Sequence, residues 1–163
     1  MTKITENFSE QEFTRSETAV KYNIDNSLTE PARRNIKILC ENYLEPIRKY
    51  FREKVHASAT IMITSGYRCP ELNRKTGGSV RSAHMSGQAA DFHIKINGKQ
   101  MNITESYNFI YDLIGEKKLS KPDQLIWEYG TWMHLGIREP LLENRGQFLL
   151  TKGNGKYDQY KRF

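Results

Sequence analysis

Among the four histidines of this 163-residue chain, His84 stands in a pattern that could hold a metal ion. It lies seven positions before Asp91 in Ser-Ala-His-Met-Ser-Gly-Gln-Ala-Ala-Asp, with Gly87, Ala89 and Ala90 between the two. A neutral imidazole and a carboxylate both ligate zinc at roughly 2.0–2.2 Å. Small residues between them let the backbone fold closely enough for both side chains to converge. Taken alone, such a pair is more often a loop histidine and a capping aspartate. A second half of a site follows at Trp132-Met133-His134-Leu135-Gly136, with Glu128 on the strand before it. Zinc hydrolases commonly hold the ion by three protein ligands and keep one position for water, whose pKa the metal brings toward neutrality. His84, Asp91 and His134 would supply the ligands. Glu128 is the best-placed general base, able to pass the water's proton to a leaving amine. The chemistry also needs a cation for the oxyanion, and Arg68 precedes the site in an irregular segment.

The elements that must position these residues can be read from the same sequence. Ser9-Glu10-Gln11-Glu12 is a capping box that starts a short helix with Phe13 on its inner face, and Ser16-Glu17 starts another. Ile36, Leu39, Cys40, Tyr43, Leu44, Ile47 and Phe51 recur at the three-and-four spacing of one buried helix face. Pro46 falls inside that pattern and predicts a kink or two abutting helices. Thr60–Thr64 alternates as a half-buried strand, and a short helical piece ends at Gly77-Gly78. From 90 to 96, Ala90, Phe92, Ile94 and Ile96 take one strand face while Asp91, His93 and Lys95 take the other. Asn97-Gly98 marks a hairpin. A helix is expected from about Thr104 to Lys118, burying Tyr107, Ile110, Tyr111 and Ile114, followed by strands at Gln124–Tyr129 and Trp132–Ile137. The tail has a possible strand at Gln147–Thr151, and residues 153–163 are expected to be poorly ordered.

The last hairpin carries a geometric requirement. Glu128 and His134 can act together only if both leave the sheet on one face, and faces alternate along a strand. A two-residue turn at Gly130-Thr131 would pair Glu128 with Met133 and separate them. A three-residue connection, Tyr129-Gly130-Thr131, would pair Glu128 with Trp132 and Ile126 with His134. The sequence therefore predicts an odd-length connection or a bulge, with Gly130 at positive φ.

Ser65-Gly66-Tyr67-Arg68, Leu72-Asn73, Gly77-Gly78-Ser79, Ser82-x-His84-x-x-Gly87-x-Ala89-x-Asp91, Glu128 and Trp132-x-His134 together resemble the zinc D-alanyl-D-alanine carboxypeptidases and related peptidoglycan endopeptidases. Upstream, Phe8, Glu12-Phe13, Ser16-x-Thr18-Ala19 and Ile24-Asp25-Asn26 look like the helical lead-in of small phage and bacterial members. The resemblance covers roughly residues 8 to 138. It implies an α+β fold of the Hedgehog/DD-peptidase-like kind, a small antiparallel sheet carrying a zinc site against helices. It further implies a zinc peptidase acting on bonds that involve D-amino acids in peptidoglycan stem peptides, as a carboxypeptidase or an endolysin-type endopeptidase. Carried over by position, His84, Asp91 and His134 match the Zn2+ ligands, Glu128 the base and Arg68 the residue that polarises the scissile carbonyl. Ser82 falls where it can bond substrate, and Tyr67 could line the cleft. His93 is not a family ligand; its parity with Asp91 gives it a second-layer, substrate-facing or plain surface role.

Length and composition bound the alternatives. One domain is expected, with a helical lead-in at 8–55, a zinc-binding core at 60–138 and a tail at 139–163. A mean hydropathy of −0.72 and 27% charged residues describe a soluble chain expected to act as a monomer. No apolar run approaches the roughly 20 residues of a membrane span. The N-terminus lacks a signal-peptide core, which leaves the place of action open: cytoplasmic synthesis with lysin-type release to the cell wall and a bacterial protein of prophage origin both fit. The net charge of +6 favours anionic partners, but the basic residues are dispersed and no nucleic-acid motif accompanies them. Cys40 and Cys69 lack CxxC partners and are assigned neither a disulfide nor a metal. The competing reading is a non-catalytic zinc-containing module that binds the cell wall; loss of Glu128 or Arg68 would have favoured it, and both are present.

Overall fold

The apolar helix face read above sets the architecture. The computed structural model describes residues 2–162. The lead-in comprises α1 (Glu10–Thr14), begun by Glu12 accepting from the Ser9 N–H at 2.7 Å, and α2 (Glu17–Lys21), capped by Ser16. Next come α3 (Glu30–Leu39), a π-helical turn (Cys40–Leu44) and α4 (Glu45–Val55). All seven residues of the predicted face are buried. The expected interruption at Pro46 takes the form of the π turn. The wider turn ahead of it leaves Pro46 in the first turn of α4, where its missing N–H is not needed.

Among the described residues seven strands follow: β1 (Ala59–Ser65), β2 (Ala89–Ile96), β3 (Lys99–Gln100), β4 (Gln124–Glu128), β5 (Trp132–Gly136), β6 (Gln147–Gly153) and β7 (Lys156–Gln159). They form one sheet in the order β1-β2-β5-β4-β6-β7, with β3 hairpinned onto β2. The sheet is α+β in context but mixed rather than purely antiparallel, a correction to expectation. After β5 the chain crosses through residues 137–146 and returns alongside β4 in the same direction. The helix α5 (Pro70–Lys75) and a 3-10 turn (Ala83–Ser86) lie between β1 and β2.

Alternation divides the sheet by chemistry. Phe92, Ile94, Leu125, Met133 and Leu135 are fully buried in one core shared with the helices. Against them lies α6 (Ile103–Gly115), whose Tyr107 hydroxyl donates to the Leu125 carbonyl at 2.9 Å. Leu113 is buried in α6, whereas Tyr111 and Ile114, expected inside, are half-buried. Tyr111 instead rests edge-on against Phe148 of β6, with centroids 4.9 Å apart. The tail is also more ordered than expected. Residues 156–159 pair with β6, and Tyr160 packs on Tyr107 at 3.9 Å between centroids. Aromatic burial and strand pairing hold what the polar composition had suggested was loose. The opposite face of the sheet carries Asp91, His93, Glu128 and His134. Among the described residues no helix is long and apolar enough to cross a membrane.

Candidate metal centre and active site

Strand pairing brings two of the predicted ligands face to face, since Asp91 of β2 lies directly opposite His134 of β5. Asp91 Oδ1 is 2.8 Å from His134 Nδ1 and 3.3 Å from His84 Nε2. One ligand atom from each of the three residues lies within 4.8 Å of the others. Donors about 2.1 Å from a tetrahedral ion stand about 3.4 Å apart, so the cluster is near the size an ion requires. The tautomer also fits. His84 Nδ1 lies 2.7 Å from the Gly66 carbonyl, so it carries the proton and leaves the Nε2 lone pair facing the cluster. Burial acts to raise the Asp91 pKa, but His84 and His134 outweigh it and hold the carboxyl well below the ordinary range. Burial likewise acts to lower His134, and the bond to Asp91 reverses this. Two imidazoles and an ionised carboxylate are a donor set suited to zinc.

Two glycines position His84. Gly87 ends the 3-10 turn at φ +70°, and a Cβ there would sit 2.5 Å from the Ala32 carbonyl oxygen of α3. A Cβ on Gly66 would sit 2.6 Å from the Phe13 backbone. The main helix and the lead-in therefore press directly on the two segments that hold this histidine. Asn26 ties the lead-in on from the other side. Its amide donates to the Thr14 and Tyr67 carbonyls and accepts from Cys69 N–H, all within 2.8–2.9 Å. Neither brace was foreseen as such: Gly66 and Asn26 appeared only within motifs, and the bonds they make depend on distant chain segments.

The last hairpin has the three-residue connection. Glu128 pairs with Trp132 and Ile126 with His134, and both Tyr129 (φ +56°) and Gly130 (φ +69°) are left-handed. Glu128 and His134 thus share a face. The Trp132 indole N–H donates to Glu128 Oε2 at 2.7 Å, fixing the carboxylate, a contact the sequence did not announce. Burial, then the nearby Asp91 charge, raise the Glu128 pKa above its usual value, with His134 and Trp132 opposing.

Arg68 lies beside these groups. Its backbone N–H donates to the His84 carbonyl at 3.2 Å, and its guanidinium reaches Ser82 Oγ at 3.4 Å. Its Nε is buried without a partner. Burial lowers its pKa against the pull of Asp91 and Glu128, and a guanidinium stays charged regardless. Gly78 leaves it room: a Cβ there would strike Asn73 Oδ1 at 2.1 Å and crowd Arg68 at 3.2 Å. Tyr67, expected to line the cleft, is only 4% exposed, with its ring in the core, yet it contributes to the lining of the groove that holds Arg68, Asp91 and His93. His93 is half-buried in a groove also lined by Thr64, Ser65, Arg68 and Asp91. Trp127 packs on the core and donates to Thr104 Oγ1 at 3.1 Å.

Comparison with known proteins agrees with this chemistry. No curated protein matches the chain. Residues 6–111 match the family model described as Peptidase M15, a span that includes Arg68, Ser82, His84 and Asp91 and ends before Glu128 and His134. That match covers more than half of the sequence, and M15 peptidases are zinc-dependent. The chain belongs to the Peptidase M15 family of metallopeptidases.

Proposed function

We propose that this protein is a zinc peptidase that cleaves bonds involving D-amino acids in peptidoglycan stem peptides, as a D-Ala-D-Ala carboxypeptidase or an endolysin-type endopeptidase, on a Hedgehog/DD-peptidase-like fold. The observation that carries the reading is the convergence of His84, Asp91 and His134 on one point, with Glu128 on the same sheet face. His84 through Nε2, Asp91 through a carboxylate oxygen and His134 through Nδ1 would hold the ion. Zinc bound there supplies Lewis acidity, which activates water and polarises a carbonyl.

The chain's own groups perform the rest. Glu128, held by the Trp132 indole, takes a proton from the attacking water and returns it to the departing amine, so the bond breaks without releasing an unprotonated amide anion. Its raised pKa suits both halves of that transfer. Arg68, hemmed in by Gly78 and Asn73, directs a cation at the oxygen that gains charge as the carbonyl carbon becomes tetrahedral. Ser82 is within reach of Arg68 and can orient either that guanidinium or a substrate carbonyl.

The test is zinc titration of metal-stripped protein while following hydrolysis of a D-Ala-D-Ala peptide and of whole peptidoglycan. Zinc-dependent release from either supports the reading. Tight zinc binding with no hydrolysis of either would instead favour the cell-wall-binding module.

A further inference from the structure

On the Glu128 side of the site, three aromatic residues come together from two parts of the chain. Tyr129 and Trp132 flank the β4–β5 turn with ring centroids 5.3 Å apart. The third, Tyr157, comes from β7, outside the family match. Strand register places it. Glu128 lies opposite Thr151 in the parallel β4–β6 pair, and Leu149 lies opposite Gln159 in the β6–β7 pair. Directly opposed residues share a face, so Leu149, Thr151 and Gln159 lie on the same side as Glu128; the β6–β7 pairing is irregular between Leu150 and Gly153, and Tyr157 takes that side by alternation with Gln159 along β7. The next residue of opposite parity, Tyr160, packs against Tyr107 of α6 on the helical side, as this register requires.

Two of the rings are tied to the sheet and to each other. The Tyr129 N–H donates to the Thr151 carbonyl at 3.0 Å, and its ring edge lies 3.9 Å from where a Cβ on Gly153 would stand. Trp132 is anchored through its indole N–H to Glu128. Even so, Tyr129 is 49% exposed and Tyr157 53%, a surface that folding alone does not explain. Tyr157 is close enough to the centre that, after burial, the charges of Glu128 and Asp91 help raise its phenol's pKa. The groove on the β1 side is mixed in character, lined by Val20, Met62 and Leu72 as well as by Arg68, Asp91 and His93.

We infer that Tyr129, Trp132 and Tyr157 form a substrate subsite on the Glu128 side of the scissile bond, which takes an uncharged segment of the stem peptide against its ring faces. This rests on the peptidase reading above. Aromatic faces favour apolar side chains and peptide planes, and Glu128 beside them disfavours a terminal carboxylate. The C-terminal hairpin is thereby part of the substrate-binding surface, with Tyr157 a specificity-determining residue.

The test compares steady-state hydrolysis of soluble peptidoglycan fragments by the zinc-loaded wild type, Tyr157→Ala and Tyr157→Phe, with melting temperature measured on each. Tyr157→Ala should raise KM by about tenfold with kcat changed by less than about twofold, as loss of an aromatic binding contact does. Tyr157→Phe keeps the ring and should keep the wild-type KM. Wild-type cleavage with an unchanged KM in Tyr157→Ala would overturn the subsite alone. A loss of kcat in Tyr157→Phe would assign the effect to the hydroxyl and overturn it too. No cleavage by the wild type would overturn the peptidase reading and, with it, the subsite.

Discussion

Replacing Gly87 by alanine probes how the fold holds the site. Gly87 combines a left-handed backbone with a close approach. A side chain at φ +70° costs about 1 kcal/mol. Its Cβ would also lie 2.5 Å from the Ala32 carbonyl oxygen and 3.0 Å from Ala32 Cα. Those atoms belong to the backbone of α3 and cannot swing aside, so the 3-10 turn or the helix must shift, at about 1–3 kcal/mol. Together the expected loss is about 2–4 kcal/mol, or roughly 4–16 °C in melting temperature for a chain this size. Because the turn carries His84, zinc affinity should also fall, by about 10–100-fold, as when a ligand's support is removed. Gly98→Ala is the control. It has φ +79° and nothing within 4 Å of the added carbon, so it should show only the backbone penalty and unchanged zinc affinity. The assay is thermal denaturation of metal-stripped protein together with competitive zinc titration. Equal destabilisation of the two variants, or wild-type zinc affinity in Gly87→Ala, would refute the packing argument.

Glu128→Gln should bind zinc as tightly as wild type while hydrolysis falls by at least about 100-fold; an active variant would mean that another residue is the base. Arg68→Lys keeps the charge but loses the planar fork, so turnover should drop with zinc content unchanged, and wild-type turnover would return Arg68 to a structural role. Asp123, 6% exposed, accepts from the Arg145 backbone N–H at 3.0 Å and from its guanidinium at 2.9 and 2.6 Å. Burial opposes ionisation there, but Arg145 prevails and the pKa is lowered. A depressed folded-state pKa gives stability that is fully present above the unfolded value of about 3.9 and is lost as pH falls through the folded one. Asp123→Asn should therefore cost about 1–3 kcal/mol near neutrality, with the gap to wild type closing below about pH 4 in urea denaturation; a gap independent of pH would contradict the ion-pair account.

Legibility followed locality. The seven-residue face of the main helix, the Asn97-Gly98 hairpin and the strand parity that turns Asp91 away from the core were readable because each depends on neighbours in sequence. The three-residue β4–β5 connection was derivable because only one register puts Glu128 and His134 on one face. Long-range contacts were not legible. Tyr67 lines the groove as its motif suggested, but that most of its side chain would be taken up by the core was not readable. Tyr111 and Ile114 fit the helical period, but so does Leu113, and which edge of the apolar face is fully covered depends on tertiary packing. The tail looked loose because its composition is polar, and nothing local reveals that β6 will run parallel to β4 or that Tyr160 will find Tyr107. The carbonyl of Gly66 behind His84 is likewise a tertiary fact.

The most direct test of the central claim is metal content with and without the proposed ligands. Wild-type protein should carry close to one zinc per chain, and His84→Ala and His134→Ala should each lose it. A chelator should lower the wild-type melting temperature, since metal bound only by the folded state at about 100 times its Kd adds about 2.7 kcal/mol, or roughly 5–11 °C. It should leave the two variants unmoved. Full retention of tight zinc binding by both variants, with the same chelator-sensitive melting as wild type, would contradict the assignment of His84, Asp91 and His134 as the metal centre.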